Sequence, residues 1–487
     1  MTEEPKHIYT GGPGLPSPGE RMLNDERMRN LLETAYRVIA EIGIRVPEPA
    51  YRAAAVASGG RERDGRIVFT RGQIDEYLSR WRERCGYGGT GWPSEPPPQR
   101  RRPLRVGVMP YAHTYLDPRT GEHLPLTVDR VEEACRFLST FAAAGVDVQA
   151  IGAPVDVAPA LQPILQYKLS AQYIPGGGGC GWYGPPSTAE FIFRMAEALG
   201  KPITAIPIYV YSPLQLGGKE LDVAVAFADR LKRLHIGNMG SCGATLPALP
   251  LPALALSWAE TISGAMCVEA ITGLPTNWSG GIEPFDLRAQ TIPFGAPEQT
   301  LYYRLACEAS AWMSGSDPSG GSATLLTMAK RPGAQSMLEK GASAAFTVSG
   351  GCRYLGAAGS LSADEVFSPV QMVLDLELRD WLERLAGGVD LGGEPGTDDF
   401  DVIAAGLRRS EFLTADATLD RYAELTWYPR HLRREMLARW RQLGSPDAVE
   451  TARLEAIERL ERAEWALPEP QFGALEDIWV EACRRLA

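Results

Sequence analysis

ITAIPIYVYSPLQLGGKELDVAVAFADRLKRLHIGNM, residues 203–239, decides the fold. Ile203–Tyr211 is an apolar, β-branched run of strand length, and His235–Met239 is a second one. The segment between them, from Lys219, repeats its apolar residues at helical spacing. A strand, a helix and a strand in that order make the two strands parallel, because the chain must cross back before it pairs again. The same alternation extends outward in both directions. Val106–Tyr111 and Val146–Ala153 precede it; Pro275–Trp278 and Phe346–Leu355 follow it, and weaker strand candidates lie at 171–174 and 322–327. Helices are expected to begin near Thr127, Ser187, Lys219, Pro252, Pro297, Pro332 and Ser368. The spacing Ser187–Glu190 fits a capping box, and Pro297 and Pro332 suit a first helical turn. About eight units over residues 104–395 predict an α/β chain folded as a (β/α)8 barrel of the TIM type. A doubly wound open sheet is the alternative. It would announce itself with a glycine-rich first turn, and Val106–Tyr111 runs into Ala-His-Thr-Tyr instead.

On either side the pattern changes. Residues 1–103 read as a mainly helical, partly mixed extension. Its helix at 24–43 is capped by Asn24 or Asp25 and ended by Gly43, and a Gly/Pro-rich linker or wrapping arm runs over 86–103. Residues 396–487 carry no strand signal and read as a helical extension with Glu/Arg pairs on its exposed faces.

The 487 residues hold 49 Lys plus Arg against 60 Asp plus Glu, a net charge of −11, which argues against nucleic-acid binding. No apolar run reaches the ~18 residues of a membrane span, and the N-terminus lacks a basic and an apolar region of a secretion signal. These readings predict a cytoplasmic protein without a membrane partner. The cysteines, at 85, 135, 180, 242, 267, 307, 352 and 483, form no CxxC pair and have no histidine at ligand spacing. Neither a disulfide framework nor a metal site is expected.

Active sites of such barrels lie at the C-terminal ends of the strands. Aromatic residues collect there: Tyr111 and Tyr115 after the first strand, Trp182 and Tyr183 in a glycine loop, Tyr211 and Trp278 at later strand ends. Such rings can box a quaternary ammonium, or they can simply plug the barrel mouth. Carboxylates are offered by Asp286 and Glu298. Gln335 and Glu339 lie one turn apart on a common helix face, and His113 is the best-placed histidine. The run PGGGGCGWYGPPS, 175–187, lacks a phosphate-loop signature. Its glycines, Gly178 and Gly179 among them, either admit a flat ligand close to the backbone, cradle a phosphate or form a plain loop.

Taken together, several segments resemble the trimethylamine methyltransferase-like family. They are Gly243–Ala244–Thr245 with Pro247, Ala259–Glu260, Gly273–Leu274–Pro275, Asp286–Leu287–Arg288, Pro297–Glu298, Ala334–Gln335 with Glu339, and SPVQMVLDLEL at 368–378. LLETAYRVIAEIGIRV at 31–46 and the stretch 411–430 also fit. The resemblance implies a (β/α)8 barrel that moves a methyl group from an amine to Co(I) of a corrinoid (cobalamin-type) cofactor carried by a separate cognate corrinoid protein. The chain has no pyrrolysine, which implies the branch acting on quaternary amines such as glycine betaine. On that reading Gln335, Glu339 and His113 are catalytic. Tyr111, Tyr115, Trp182, Tyr183, Tyr211, Trp278, Asp286 and Glu298 hold the methylated ammonium substrate, and Gly178, Gly179 and Gly243 meet the cofactor. The chain departs from the family at Gly333, where an Asp is common, and at Glu411, where a His is common. Another methyl donor or acceptor such as a folate, or a non-catalytic ligand-binding role, stays open. A homo-oligomer is expected, through the parts outside the barrel.

Overall fold

The computed structural model describes residues 20–92, 103–142, 144–316, 323–389 and 399–486. Much of the expected linker, and the expected boundary at 395/396, lie outside the described residues. The N-terminal part consists of α1 (Asp25–Arg37), α2 (Pro49–Ala57), α3 (Arg71–Cys85) and a small antiparallel sheet of 44–45, 61–63 and 66–68. Asn24 caps α1 by accepting from the Arg27 N–H, and Gly43 turns the chain at φ +78.

Strands and helices then alternate. Arg105–Gly107 is followed by α4 (Val128–Ser139), Val146–Asp147 by α5 (Gln162–Tyr173), and the third position by α6 (Pro186–Ala198). Ala205–Val210 precedes α7 (Lys219–Ala226), Arg233–Asn238 precedes α8 (Pro250–Thr272), and Thr276–Trp278 precedes α9 (Pro297–Ser314). Ala323–Thr324 with α10 (Ala334–Ser349) and Tyr354–Gly356 with α11 (Pro369–Ala386) complete the series. This is the order of a (β/α)8 barrel. Its eighth strand pairs in parallel with its first, Leu355 opposite Val106, which closure requires and an open sheet does not.

The hydrogen-bonded ladder runs in two arcs. One joins strands seven, eight, one and two, with Ala323, Leu355, Val106 and Val146 in register. The other joins four, five and six, with Ile208, Ile236 and Trp278 in register. Each arc faces its own apolar core. The second packs on α1, α3, α7, α8 and α9; the first packs on α4, α11 and α15 (Ala448–Arg462). At the third position the glycine run replaces a strand. The Gly178 N–H donates to Ser170 Oγ (3.2 Å) and the Gly181 N–H to Gln166 Oε1 (3.0 Å), so side chains of α5 take the place of a neighbouring strand. Glycine is required there: a Cβ on Gly177 would sit 2.1 Å from the Ser170 carbonyl oxygen. Beside strand six, α3 meets the free edge. Arg84 donates to the Thr276 carbonyl (3.1 Å), and Trp81 Nε1 donates to Asn277 Oδ1 (3.0 Å).

Three expectations are corrected. The run 346–355 is mostly the end of α10, with strand only at 354–356, because a short apolar run does not distinguish helix from strand. Residues 171–174 close α5 rather than form a strand. The helix near Ser187 begins at Pro186 without a side-chain cap. Among the described residues one helix, α8, is long and apolar enough to cross a membrane, and 83% of that window is buried inside the fold. It is the central helix behind strands five and six.

The C-terminal extension is helical: α12 (Asp399–Arg409), α13 (Asp416–Leu425), α14 (Leu437–Gln442), α15 and α16 (Gln471–Leu486). α15 packs on α11 and α4, and α16 on α5 and α6. α12 to α14 leave Phe400, Leu407, Leu413, Tyr422 and Met436 exposed.

Candidate functional site

Strand alternation decides what points into the barrel. Ile206, Ile208 and Val210 on strand four, and Leu234 and Ile236 on strand five, are buried against the helices. Pro207, Tyr209 and His235 therefore face inward, and all three are exposed to solvent. The inner wall of this arc is wet and polar rather than packed.

At the C-terminal ends, Tyr111 from strand one and Tyr209 from strand four meet across the mouth, 41% and 48% exposed. They lie within reach of each other's hydroxyl, and burial pushes the Tyr111 hydroxyl up to about 12, helped by Tyr209 and then Asp364. Both rings lean on glycines. A Cβ on Gly181 would come within 3.1 Å of the Tyr111 ring, and one on Gly237 within 3.4 Å of Tyr209. Asp364 arrives from the turn after strand eight. That turn holds two consecutive non-glycine residues in left-handed backbone, Ser362 at φ +50 and Ala363 at φ +61. Such a conformation persists only where its surroundings impose it. Here the Ser362 N–H donates to the Ala329 carbonyl (2.7 Å) and the Ala363 N–H to that of Thr327 (2.8 Å). The Glu365 carbonyl accepts from the N–H groups of His113 and Thr114, both at 3.1 Å. The turn is thus pinned to strand seven on one side and to the first strand's loop on the other. Burial raises the Asp364 carboxyl above its ordinary range, and Glu365 adds to this while His113 opposes it.

Glu339 supports the strand-seven side. Its carboxylate accepts from Thr327 Oγ1, from the Met328 N–H (2.9 Å) and from Gln335 Nε2 (2.8 Å). Gln335 and Glu339 therefore do stand together, with Glu339 engaged in holding backbone. Behind strands four and five, fully buried Glu260 accepts from Ser212 Oγ (2.7 Å), the Leu214 N–H (2.9 Å) and Asn238 Nδ2 (2.7 Å). Strands five and six continue past a short break as Gly240–Cys242 and Ile282–Pro284, in parallel register, with Glu283 opposite Ser241. Burial pushes the Glu283 carboxyl up to about 7, with only Gln299 working against it. This carboxyl lies at the C-terminal end of a barrel strand, the face on which sites of this fold are built.

Other expected residues lie elsewhere. Trp278 does not face the cavity: in register with Ile236 it belongs to the outer face, buried against Trp81 and Trp258 with ring centroids at 5.1 and 5.9 Å. Tyr115 is 1% exposed and packed in the core behind strand one. Tyr183 turns toward Phe193 of α6, centroids 6.1 Å apart. Trp182 stays half-buried in the glycine loop. Tyr211 is exposed on the rim, its hydroxyl end over Gly218. Asp286 orders its own turn by accepting from the Arg288 and Ala289 N–H groups at 2.7 and 3.2 Å. Glu298 lies in the first turn of α9, where its charge meets the helix dipole. Gly243, at φ +89, forms the turn after strand five and donates to the Leu246 carbonyl (2.9 Å). His113 lies beside Asp364 with Nδ1 3.1 Å from Thr114 Oγ1. Asp364 went unnoticed in the sequence because strand eight was read too early. Placed at 354–356, that strand is followed by a short hairpin, Ser360–Leu361 with Val366–Phe367, whose tip is Ser-Ala-Asp-Glu.

Burial pushes the Cys180 thiol, beside Tyr111, up to about 12, which removes it as a thiolate nucleophile. All eight cysteines are unpaired.

The sequence profile of the trimethylamine methyltransferase family matches residues 189–477. A trimethylamine methyltransferase (MttB) of Desulfitobacterium hafniense is 24% identical over 405 residues, covering 77% of this chain and 76% of that protein. One from Methanosarcina barkeri is 24% identical over 303 residues, covering 61% and 59%. Among solved structures, the Methanosarcina barkeri monomethylamine methyltransferase (MtmB) aligns over 90% of this chain and 88% of its own. It does so at 11% identity and a TM-score of 0.45.

Proposed function

Since the chain belongs to the trimethylamine methyltransferase family, we propose that this methyltransferase takes a methyl group from a small quaternary ammonium compound and delivers it to a corrinoid held by a separate protein. The observation that carries the reading is the meeting of Tyr111, Tyr209 and Asp364 at the barrel mouth. Two half-exposed tyrosines whose hydroxyls meet, and one half-buried carboxyl group beside them, suit a methylated cation. Each ring contributes ~0.5–2 kcal/mol, and a buried carboxylate otherwise lacks compensation.

A corrinoid needs an open, largely apolar approach to the donor. The C-terminal face fits: Met239, Leu249, Leu287 and Leu338 stand exposed on the loops and helix starts around it. These residues would meet the corrinoid or its carrier. When bound, the reduced cobalt supplies the nucleophile. The chain's own residues bind the cation and orient it. A quaternary donor leaves as a neutral amine and needs no proton, so orientation and electrostatics are the main contributions asked of the protein. Asp364 holds the ground-state cation and must therefore be balanced by ring contacts that survive as the charge disperses. Glu339, through Thr327 and Met328, positions the turn that delivers Asp364.

Residues 104–395 would carry this chemistry, with 1–103 and 396–487 as supports, in a cytoplasmic homo-oligomer. The test is anaerobic incubation with reduced cobalamin or a reduced corrinoid protein and a panel of tetramethylammonium, choline, glycine betaine and trimethylamine. Loss of the Co(I) absorption with release of the demethylated amine is expected. Absence of both with every donor would refute the reading.

A further inference from the structure

Lys340 of α10 and Asp375 of α11 are both fully buried, with Nζ 2.6 Å from Oδ2. A well-packed apolar pair in the same place often serves a fold as well or better, because two charges must leave water to form such a bridge. Stability alone does not account for it. Resting on the methyl-transfer reading above, we infer that Asp375, paired with Lys340, is a positioning residue of the site: it holds the root of the hairpin that presents Asp364 at the barrel mouth.

The root lies at Gly359. Its N–H donates to Asp375 Oδ2 (2.8 Å), and its carbonyl accepts from the Ser368 N–H (2.9 Å). Gly359 stands at φ +80, and a Cβ there would meet the Phe367 ring at 2.5 Å, so glycine is what lets the backbone come this close. Gln371, one turn before Asp375 on α11, donates Nε2 to Oδ1 (2.8 Å) and orients the carboxylate. A lysine, an amide and a backbone N–H thus converge on one side chain. An ionised acceptor makes the bond to the Gly359 N–H roughly twice as strong as a neutral one.

The hairpin needs this hold on one side. Its returning strand, Val366–Phe367, pairs with Thr114–Tyr115 as well as with its mate. Its outgoing strand, Ser360–Leu361, is the edge of that sheet, so it is fixed by its mate and by its two ends. One end is the tip, where the Ala363 N–H donates to the Thr327 carbonyl (2.8 Å), and Glu339 holds Thr327 and Met328 in turn. The other end is Gly359. Glu339 and Lys340 are neighbours on α10, so one turn of one helix sets both ends of the strand that leads into Asp364. A binding group displaced by ~1 Å can cost a reaction ~100-fold.

Two double variants of the full chain separate the anchoring bond from the ion pair. Lys340→Met/Asp375→Asn removes both charges and keeps an acceptor for the Gly359 N–H. Lys340→Met/Asp375→Leu removes both charges and the acceptor. Neither leaves a buried charge unpaired. Hydrogen–deuterium exchange over 359–367 is read without ligand, and KM and kcat are read with tetramethylammonium and reduced cobalamin, each protein at the same interval below its Tm. The Asn variant is expected to stay within twofold of the unaltered chain in all three. The Leu variant should exchange at least tenfold faster over 359–367, with α10 and α11 unchanged, and raise KM at least tenfold while kcat moves less than threefold. A Leu variant that matches the unaltered chain overturns the inference, and so does an equal loss in both variants. If the Leu variant does not fold, Lys340→Met/Asp375→Ala takes its place; unfolding of both, with the Asn variant folded, makes the bond a determinant of the fold and also overturns the inference. Faster exchange in the Leu variant alone, with no donor turned over by the unaltered chain, removes the methyl-transfer reading and keeps the anchor. Equal turnover and exchange in all three proteins does the reverse.

Discussion

Replacing Glu283 by glutamine tests how dry the strand-six side of the mouth is. Its neighbours Ile282 and Pro284 are buried, and burial moves its carboxyl from 4.5 to about 7, Gln299 offering the one opposing hydrogen bond. The folded chain therefore holds a proton that the unfolded chain releases between pH 4.5 and about 7. Where the native state binds more protons, stability falls as pH rises, and it levels off above the folded value. The full shift corresponds to about 3 kcal/mol at ~1.4 kcal/mol per unit. Part of the side chain meets water, so ~2 kcal/mol is the expected size after screening. Glutamine keeps the shape and carries no charge at any pH. Glu283→Gln should match the unaltered protein at pH 4.5 and exceed its stability by ~2 kcal/mol at pH 8. Unfolding entropy of ~2.1 cal/mol/K per residue makes this a Tm gain of about 2 °C, readable by scanning calorimetry at both pH values. An equal difference at the two pH values, or a less stable variant at pH 8, would refute a desolvated carboxyl here.

Trp278→Leu should cost about 2–3 kcal/mol of stability through the cavity left beside Trp81 and Trp258, with the donor KM within twofold; Tyr209→Leu should leave Tm nearly unchanged and lower kcat/KM ~10-fold or more. Gly177→Ala should sharply lower Tm, since its Cβ would meet the Ser170 carbonyl at 2.1 Å, while Gly72→Ala, with nothing within 4 Å, should be neutral by the same assay. Glu339→Ala strands the Thr327 hydroxyl and the Met328 N–H and should cost ~1–3 kcal/mol together with a raised donor KM, whereas Gln335→Ala should do neither. We expect the exposed apolar residues of α12 to α14 to be covered in a homo-oligomer, so Leu407→Glu should reduce the particle mass seen by light scattering; a 53.0 kDa particle for the unaltered chain would remove that expectation.

The barrel was legible in the sequence because strands four and five are long, β-branched and separated by one amphipathic helix. Its third strand was not, because a backbone tied by Ser170 and Gln166 carries no apolar pattern at all. Trp278 was misplaced by one step of alternation. Thr276, Asn277 and Trp278 offer two faces of similar polarity, and only pairing with Ile236 shows which one meets the helices. Tyr209 ended a recognised strand, but its partner across the mouth depends on Gly181 and Gly237 leaving room. Asp364 and the arrangement around it arise from two left-handed residues, Ser362 and Ala363, whose types give no hint of that backbone. Family motifs such as Ala259–Glu260 and Gln335 with Glu339 turn out to hold strand ends in place, which is a role that side-chain type alone does not reveal.

Among the described residues the barrel is laddered as two arcs, each with its own core. Tyr111 and Asp364 belong to one arc; Tyr209 and Glu283 belong to the other. A cation gripped by Tyr111, Tyr209 and Asp364 would therefore be a clasp between the two laddered arcs. Bound donor should slow amide exchange of strands four to six and of strands seven to two together, although it touches only their tips. Exchange of the Gly178 and Gly181 N–H groups, tied to α5 through Ser170 and Gln166, should slow with them.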